Sequence, residues 1–302
     1  MLLENFCEKI PSQSQSSFAL PGFEVEHIAP NAKPFLRWVG GKTRLLSSIL
    51  PYVPEKINSY HEPFLGSGAM FFAVRGRAKK SFVSDLNAEL VNAWTVVRDE
   101  PIAFFLKLRD YELRQGEDAY YEVRSEAHEH HIDRAARFFY LNQTAWNGLW
   151  RENRFGVFNV PFGARAFRGI KDDFLASVTA ALQGVSIEQT DFREVASRAQ
   201  KDDFCYFDPP YLPISDTSKF SGYNGKRFRF DDLVELSEVC KDLSRRKVNW
   251  IVSNRDNDVM RELFSHARVI SFTTRRSVAA QTKRHVQPKD SPEVIIVGGP
   301  NS

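Results

Sequence analysis

Asp208-Pro209-Pro210-Tyr211 follows the apolar run Phe204 to Phe207 and sets a carboxylate, two residues of fixed φ and an aromatic ring side by side. That set suits one chemical problem. The exocyclic amine of a nucleobase is a poor nucleophile because its lone pair is delocalised into the ring. A carboxylate and a backbone carbonyl that accept its N–H bonds favour a pyramidal nitrogen and free the lone pair for an electrophilic methyl carbon. The prolines hold the Pro209 carbonyl in place, and Tyr211 offers a stacking face to a base swung out of its helix. A Pro-Pro turn that merely ends a strand would explain the prolines but not the acid and the aromatic together.

A second group lies earlier in the chain, in Pro34-Phe-Leu-Arg-Trp-Val-Gly-Gly-Lys42 and Glu62-Pro-Phe-Leu-Gly-Ser-Gly-Ala69. Gly41-Lys42-Thr43 is not a phosphate-binding P-loop, because Leu36 stands where that motif needs its first glycine. Gly66-Ser-Gly68 reads as a strand-to-helix turn that lets backbone approach a bound nucleoside without a Cβ in the way. Asp85 follows Gly66 by 19 residues, at the end of the next strand, where a carboxylate accepts the ribose hydroxyls of a nucleoside cofactor. Thr190-Asp191-Phe192, after the third strand, offers an acid for an adenine amine and an aromatic cover for its ring. At both places a helix N-cap is the competing explanation for the acid.

These residues must be carried by a sheet. Short β-rich runs at 58–62, 81–84, 185–189, 204–207, 248–253, 268–274 and 293–297 alternate with helical patterns, which predicts an α/β fold with a doubly wound, mostly parallel seven-stranded sheet. Only a polar basic loop joins the last two runs, so they should close the sheet as an antiparallel hairpin. Between the second and third strands, residues 98–182 read as helices followed by a Gly/Asn/Arg-rich loop, an inserted target-recognition domain. Residues 34–97 and 183–302 would then form the catalytic domain, and the Pro- and Ser-rich residues 1–33 a loosely ordered extension.

Composition narrows the class. Forty-one Lys and Arg against 38 Asp and Glu give a net charge of only +3, so a polyanionic partner must show itself regionally. It does so between residues 134 and 171, where Arg134, Arg137, Arg151, Arg154, Arg165, Arg168 and Lys171 face Glu152 alone. Trp146, Trp150, Phe155 and Phe158 alternate there with Asn142, Gln143, Asn147 and Asn153, a mixture suited to phosphate contact, stacking and base-edge hydrogen bonding. The competing explanation is a solvated basic loop over core aromatics. Arg275, Arg276, Lys283, Arg284 and Lys289 form a second basic stretch suited to phosphates. His128-Glu-His-His131 has the wrong helical spacing for a metal cluster, and no metal is expected. Cys7, Cys205 and Cys240 are odd in number, which argues for reduced thiols, with Cys205 read as buried packing. No apolar run approaches the roughly 18 residues of a membrane span, and Glu4 and Glu8 stand where an export signal would be basic. A soluble, cytoplasmic protein without membrane contact is expected.

From Pro34 to Val297 the chain resembles the Dam family (D12 class, alpha group) of site-specific DNA adenine-N6 methyltransferases, particularly its restriction-associated members. The resemblance rests on Arg37-Trp38-Val-Gly-Gly-Lys42, Glu62-Pro-Phe-Leu-Gly-Ser-Gly68, Ser84-Asp-Leu-Asn87, Asn147-Gly-Leu-Trp-Arg151, Gly156-Val-Phe-Asn-Val-Pro-Phe-Gly163 and Asp208-Pro-Pro-Tyr211, in that order. It implies S-adenosyl-L-methionine as methyl donor, double-stranded DNA as substrate and Asp208, Pro209, Pro210 and Tyr211 as the catalytic set. Trp38, Lys42, Asp85 and Asp208 match the family's cofactor-contacting positions. With Gly40, Gly41, Pro63, Phe64, Gly66 and Gly68 of the same motifs, and with Asp191 and Phe192, they make up the expected cofactor site. Arg37, Leu149, Arg151 and Pro161 match positions that touch base edges, Asn147 lies among them, and Trp146 sits where the family places an aromatic wedge. A GATC-like target follows from these matches. The family's acid-His pair after the catalytic motif is replaced here by Asp231-Asp232. Methylation of cytosine N4 and a DNA-binding relative without catalysis are the alternatives, and a cognate restriction endonuclease stays open as a partner.

Overall fold

The computed structural model describes residues 32–212, 228–275 and 290–300. Most of the expected N-terminal extension, with Cys7, lies outside them, as do Arg276, Lys283, Arg284 and Lys289 of the second basic stretch. The strands are β1 (Ile57–Glu62), β2 (Ala78–Ser84), β3 (Val185–Glu188), β4 (Phe204–Phe207), β5 (Asn249–Arg255), β6 (Arg268–Arg275) and β7 (Asp290–Gly298). They form one sheet in the order β3-β2-β1-β4-β5-β7-β6. β1 to β5 are parallel, and β7 is antiparallel to both β5 and β6. The predicted α/β architecture, with its antiparallel end, is therefore the one observed.

β4 is an unbroken apolar run because both of its faces are covered. Phe204 and Tyr206 join a core with Tyr60 of β1, while Cys205 and Phe207 point to a second core with Trp250 of β5. That second core is covered by α8 (Phe192–Arg198), α9 (Phe230–Arg245) and α10 (Asp258–Leu263). Burial pushes the Cys205 thiol up, in keeping with its role as packing. Chain order reverses between β1 and β4, so the crevice beyond their carboxyl ends is where an open α/β sheet takes a ligand.

On the other side, α1 (Leu46–Ile49) and α2 (Ala69–Val74) precede β2, and five helices follow it: α3 (Ala88–Asp99), α4 (Pro101–Glu112), α5 (Gly116–Ser125), α6 (His131–Thr144) and α7 (Asp172–Leu182). Leu90, Ala93, Trp94 and Val97 form the buried stripe of α3, which packs against α6 and α7. These helices share one continuous core with β1 and β4. Beyond α6 the chain doubles back as a hairpin-like excursion. Trp146 N donates to Pro161 O at 2.9 Å and Asn159 N to Arg151 O at 3.0 Å. Gly163 closes it where a Cβ would meet the Ala145 carbonyl oxygen at 2.6 Å. Among the described residues no helix is long and apolar enough to cross a membrane.

Candidate active site and nucleic-acid interface

Asp208 emerges from β4 at the switch point and is held from two sides. Lys42 Nζ donates to its carboxylate oxygens at 2.6 and 2.8 Å, and also to Gly40 O at 2.9 Å. Ser253 of β5 donates from Oγ to Asp208 Oδ1 at 3.0 Å, and its Oγ lies 2.8 Å from the Tyr206 hydroxyl. Lys42 is 5% and Asp208 19% exposed, so water screens the pair little. Burial pushes the Asp208 carboxyl up, and the Lys42 ammonium and Ser253 hydroxyl only partly offset that push. Pro209 is buried. Tyr211 lies half-buried at the cleft, with Lys42 Nζ 5.2 Å from its ring centroid.

Asp85 separates the two readings given for it. Asn87, not Asp85, caps α3, its side chain accepting from Leu90 N at 2.9 Å. The Asp85 carboxylate instead accepts from Gly66 N at 3.1 Å and from Asn87 N at 3.0 Å, which fixes it against the glycine turn. Burial raises its carboxyl above the usual range, partly countered by these backbone donors. Asp191 does cap its helix, Oδ1 accepting from Arg193 N and from the Arg193 guanidinium. Phe192 is buried and stacks under the half-buried Phe64, with ring centroids 5.7 Å apart. Gly66 and Gly68 both have positive φ, yet their missing Cβ atoms make room for protein: the Trp38 ring at Gly66, and Trp94 of α3, 2.4 Å from a Cβ at Gly68. The glycine turn is thus built for close helix and ring packing, and its Gly66 amide orients the Asp85 carboxylate.

One open cleft of about 2020 Å³ joins these residues. Trp38, Gly40, Gly41, Lys42, Pro63, Phe64, Gly66, Asp85, Asp191, Phe192 and Asp208 to Tyr211 line it, together with Arg37, Asn147 and Leu149. Small-molecule pockets measure about 300–1,000 Å³, so this cleft has room for a nucleoside donor and an extruded base together. Gly68, Trp146, Arg151 and Pro161 stand outside its lining. Trp146 is 41% exposed, Pro161 is exposed, and Arg151 is exposed with its guanidinium aligned by Asn159 Oδ1 at 2.8 Å.

The basic and amide-rich segment divides into structural and free groups. Asn142 is buried and clamps Arg37 by its backbone, accepting from Arg37 N at 2.9 Å and donating to Arg37 O at 2.7 Å. Gln143 holds Gly169 O and Arg168 N, and Asn153 pins Phe155 N and Val157 N at the hairpin tip. Arg134 pairs with Glu89, and Arg137 donates to the Val123 and Arg124 carbonyls. Trp150 and Phe158 pack into the core beside Phe138, whereas Phe155 is 73% exposed. The packing explanation therefore holds for Asn142, Arg134, Arg137, Trp150 and Phe158, while Trp146, Arg151 and Phe155 stay exposed. Of the histidines, His128 lies 3.0 Å from Glu126, and His131 pairs with Glu100. Asp232, in the place of the family's histidine, receives Arg193 at 2.7 Å and the Arg229 amide at 2.7 Å, tying α9 to Asp191. Ser253, Tyr206 and Glu293 carry no local motif and escape sequence reading. Glu62, which precedes the glycine turn, faces the same cleft, its carboxyl pushed well up by burial against a 2.7 Å hydrogen bond from Tyr60.

Residues 38–278 match the family model described as D12 class N6 adenine-specific DNA methyltransferase. The chain is 34% identical over 261 residues to the Type II methyltransferase M1.LlaDCHI of Lactococcus lactis subsp. cremoris, covering 83% of this chain and 91% of that one. It is 35% identical over 267 residues to the Type II methyltransferase M.MjaIII of Methanocaldococcus jannaschii, covering 82% and 92%. A DNA adenine methylase of Haemophilus influenzae is 30% identical over 273 residues, covering 88% and 94%.

Proposed function

The chain belongs to the D12 class of N6 adenine-specific DNA methyltransferases, and from that membership we propose that it methylates an adenine extruded from duplex DNA at a GATC-like site, with S-adenosyl-L-methionine as donor. The carrying observation is the Asp208 carboxylate, fixed at the switch point by Lys42 and Ser253 next to the Pro209 carbonyl. Asp208 and Pro209 O accept the two hydrogens of the adenine amine, draw its lone pair out of the ring and stabilise the positive charge that develops on nitrogen. Tyr211 covers the face of the extruded base. Adenine, not cytosine, is the base that the family's specificity supports.

The residues present fit the donor. Asp85, with both oxygens oriented by backbone amides, has lone pairs left for ribose hydroxyls, and Phe64 stacked on Phe192 offers an apolar wall for a purine. Trp38, Gly40, Gly41 and Lys42 border the same space, with Pro63, Gly66 and Asp191. S-adenosyl-L-methionine supplies the electrophilic methyl group when bound. The exposed Arg151, Asn147, Pro161 and Arg37, with the half-buried Leu149, read base edges, and Trp146 fills the gap left by the base. The Type II names of two relatives support a restriction-modification setting, in which a separate endonuclease recognises the same sequence. A DNA substrate also supports a cytoplasmic site of action. Methylating a random duplex pool and sequencing the modified positions tests this: N6-methyladenine in a GATC-like context is expected, and modification without sequence preference would overturn the assignment of the reading loop.

A further inference from the structure

A phenyl ring would stack on an extruded base as well as a phenol does, so the hydroxyl of Tyr211 calls for its own explanation. In this structure it donates to Glu293 Oε2 at 2.5 Å. Glu293 opens the apolar run of β7 and is 7% exposed. Its backbone is held on both sides, opposite Arg255 of β5 and Phe272 of β6, so the carboxylate has a fixed origin. Burying a carboxylate is costly unless donors meet it, and an apolar residue would serve β7 better if packing were its only task. The carboxylate faces the cleft that holds Asp208. Lys42, which holds Asp208, lies at the face of the same Tyr211 ring. The ring is thus fixed at its hydroxyl by one sheet strand and at its face by the cation that orients the catalytic acid.

We infer that Glu293 is a positioning residue that locks the plane of Tyr211, so that the stacking platform is formed before the base arrives. The inference rests on the reading of Tyr211 as that platform. Glu293 lies beyond residues 38–278, the span of the family match. Without the anchor the ring regains its rotamers, and ordering it again on each binding event lowers productive binding roughly threefold to tenfold.

The test is a double-mutant cycle on the full chain, read by single-turnover methyl transfer to a duplex carrying the target site and by fluorescence of 2-aminopurine at the target position. Glu293→Ala and Tyr211→Phe should each slow transfer roughly threefold to tenfold, and the double variant should be no slower than either. Glu293→Gln, whose amide oxygen still accepts from the phenol, should retain most of the rate. Donor affinity should stay unchanged throughout, while 2-aminopurine emission rises in both single variants as stacking loosens. Multiplying losses in the double variant, or a Tyr211→Phe rate equal to that of the unaltered chain, would overturn the inference. Tyr211→Phe removes one oxygen and keeps the fold, so it decides the matter even if Glu293→Ala does not fold. Adenine methylation with independent losses refutes this inference alone; no adenine methylation by the unaltered chain refutes the reading of the whole site.

Discussion

Lys42 and Asp208 form a buried ion pair in the cleft, and on the proposed function removing one charge or both separates what the pair does for folding from what it does for transfer. Lys42 Nζ lies 2.6 Å from Asp208 Oδ1, with the two side chains 5% and 19% exposed. Removing one member of such a pair strands the other and costs about 3–5 kcal/mol, whereas replacing both with uncharged groups of similar volume is close to neutral. At roughly 2 °C per kcal/mol for a chain of this size, Lys42→Met and Asp208→Asn should each melt roughly 6–10 °C lower. The double variant should melt within roughly 3 °C of the unaltered protein. Transfer should behave differently. Asp208→Asn puts a donor where the adenine amine needs an acceptor, and losing one preorganised polar contact of this kind costs about 10²–10³ in rate. The double variant should therefore recover stability without recovering transfer, and duplex affinity should hold within a few-fold because phosphate contacts lie elsewhere. Thermal melts, labelled-methyl transfer and a duplex titration measure the three quantities. Recovery of transfer in the double variant, or a Lys42→Met protein as stable as the unaltered one, would refute the reasoning.

Arg151→Ala should relax sequence preference by about 1–3 kcal/mol at one base pair, measured by competition between duplexes that differ at single positions, with uniform loss across all sequences as the contrary result. Asp203, at the foot of β4, accepts from Ser59 N at 2.9 Å, Gln200 N at 2.8 Å, Asn58 Nδ2 at 3.2 Å and His61 Nε2 at 3.1 Å. Asp203→Ala strands these donors and should destabilise the fold by about 3–5 kcal/mol in denaturant titration. Burial pushes the Asp203 carboxyl up, but its donors, His61 foremost, outweigh that and hold it below the usual range. Its contribution is complete above the unfolded carboxylate value of about 3.9 and is lost as pH falls through the lower folded value. The acid-unfolding midpoint of Asp203→Ala should lie at higher pH than that of the unaltered chain.

The parts of the site legible in the sequence are those in which chemistry and chain proximity coincide. Asp208 to Tyr211, the glycine turn and Asp85 each stand out within a few residues, and the strand runs place all three at one sheet edge, where the structure has them. Local reading fails where a side chain serves a partner far along the chain. Asn142 reads as a base-reading amide among basic residues, but it is spent on the backbone of Arg37, 105 residues earlier. Glu293 and Ser253 reach Tyr211 and Asp208 across 82 and 45 residues, through the register of β5 and β7, which no motif encodes. Gly68 shows a subtler limit: its positive φ is foreseeable, but that Trp94 fills the space beside it depends on how α3 crosses the turn. Composition likewise overstates the exposed basic and aromatic surface, because it counts Arg134, Arg137, Trp150 and Phe158 although tertiary contacts already occupy them.

A crystal structure of the protein with a non-reactive donor analogue and a target duplex tests the catalytic geometry most directly. The extruded adenine should place its amine nitrogen within about 3.2 Å of both the Asp208 carboxylate and the Pro209 carbonyl oxygen, with its ring against Tyr211. An adenine seated elsewhere in the cleft, with its amine out of reach of Asp208, would contradict it.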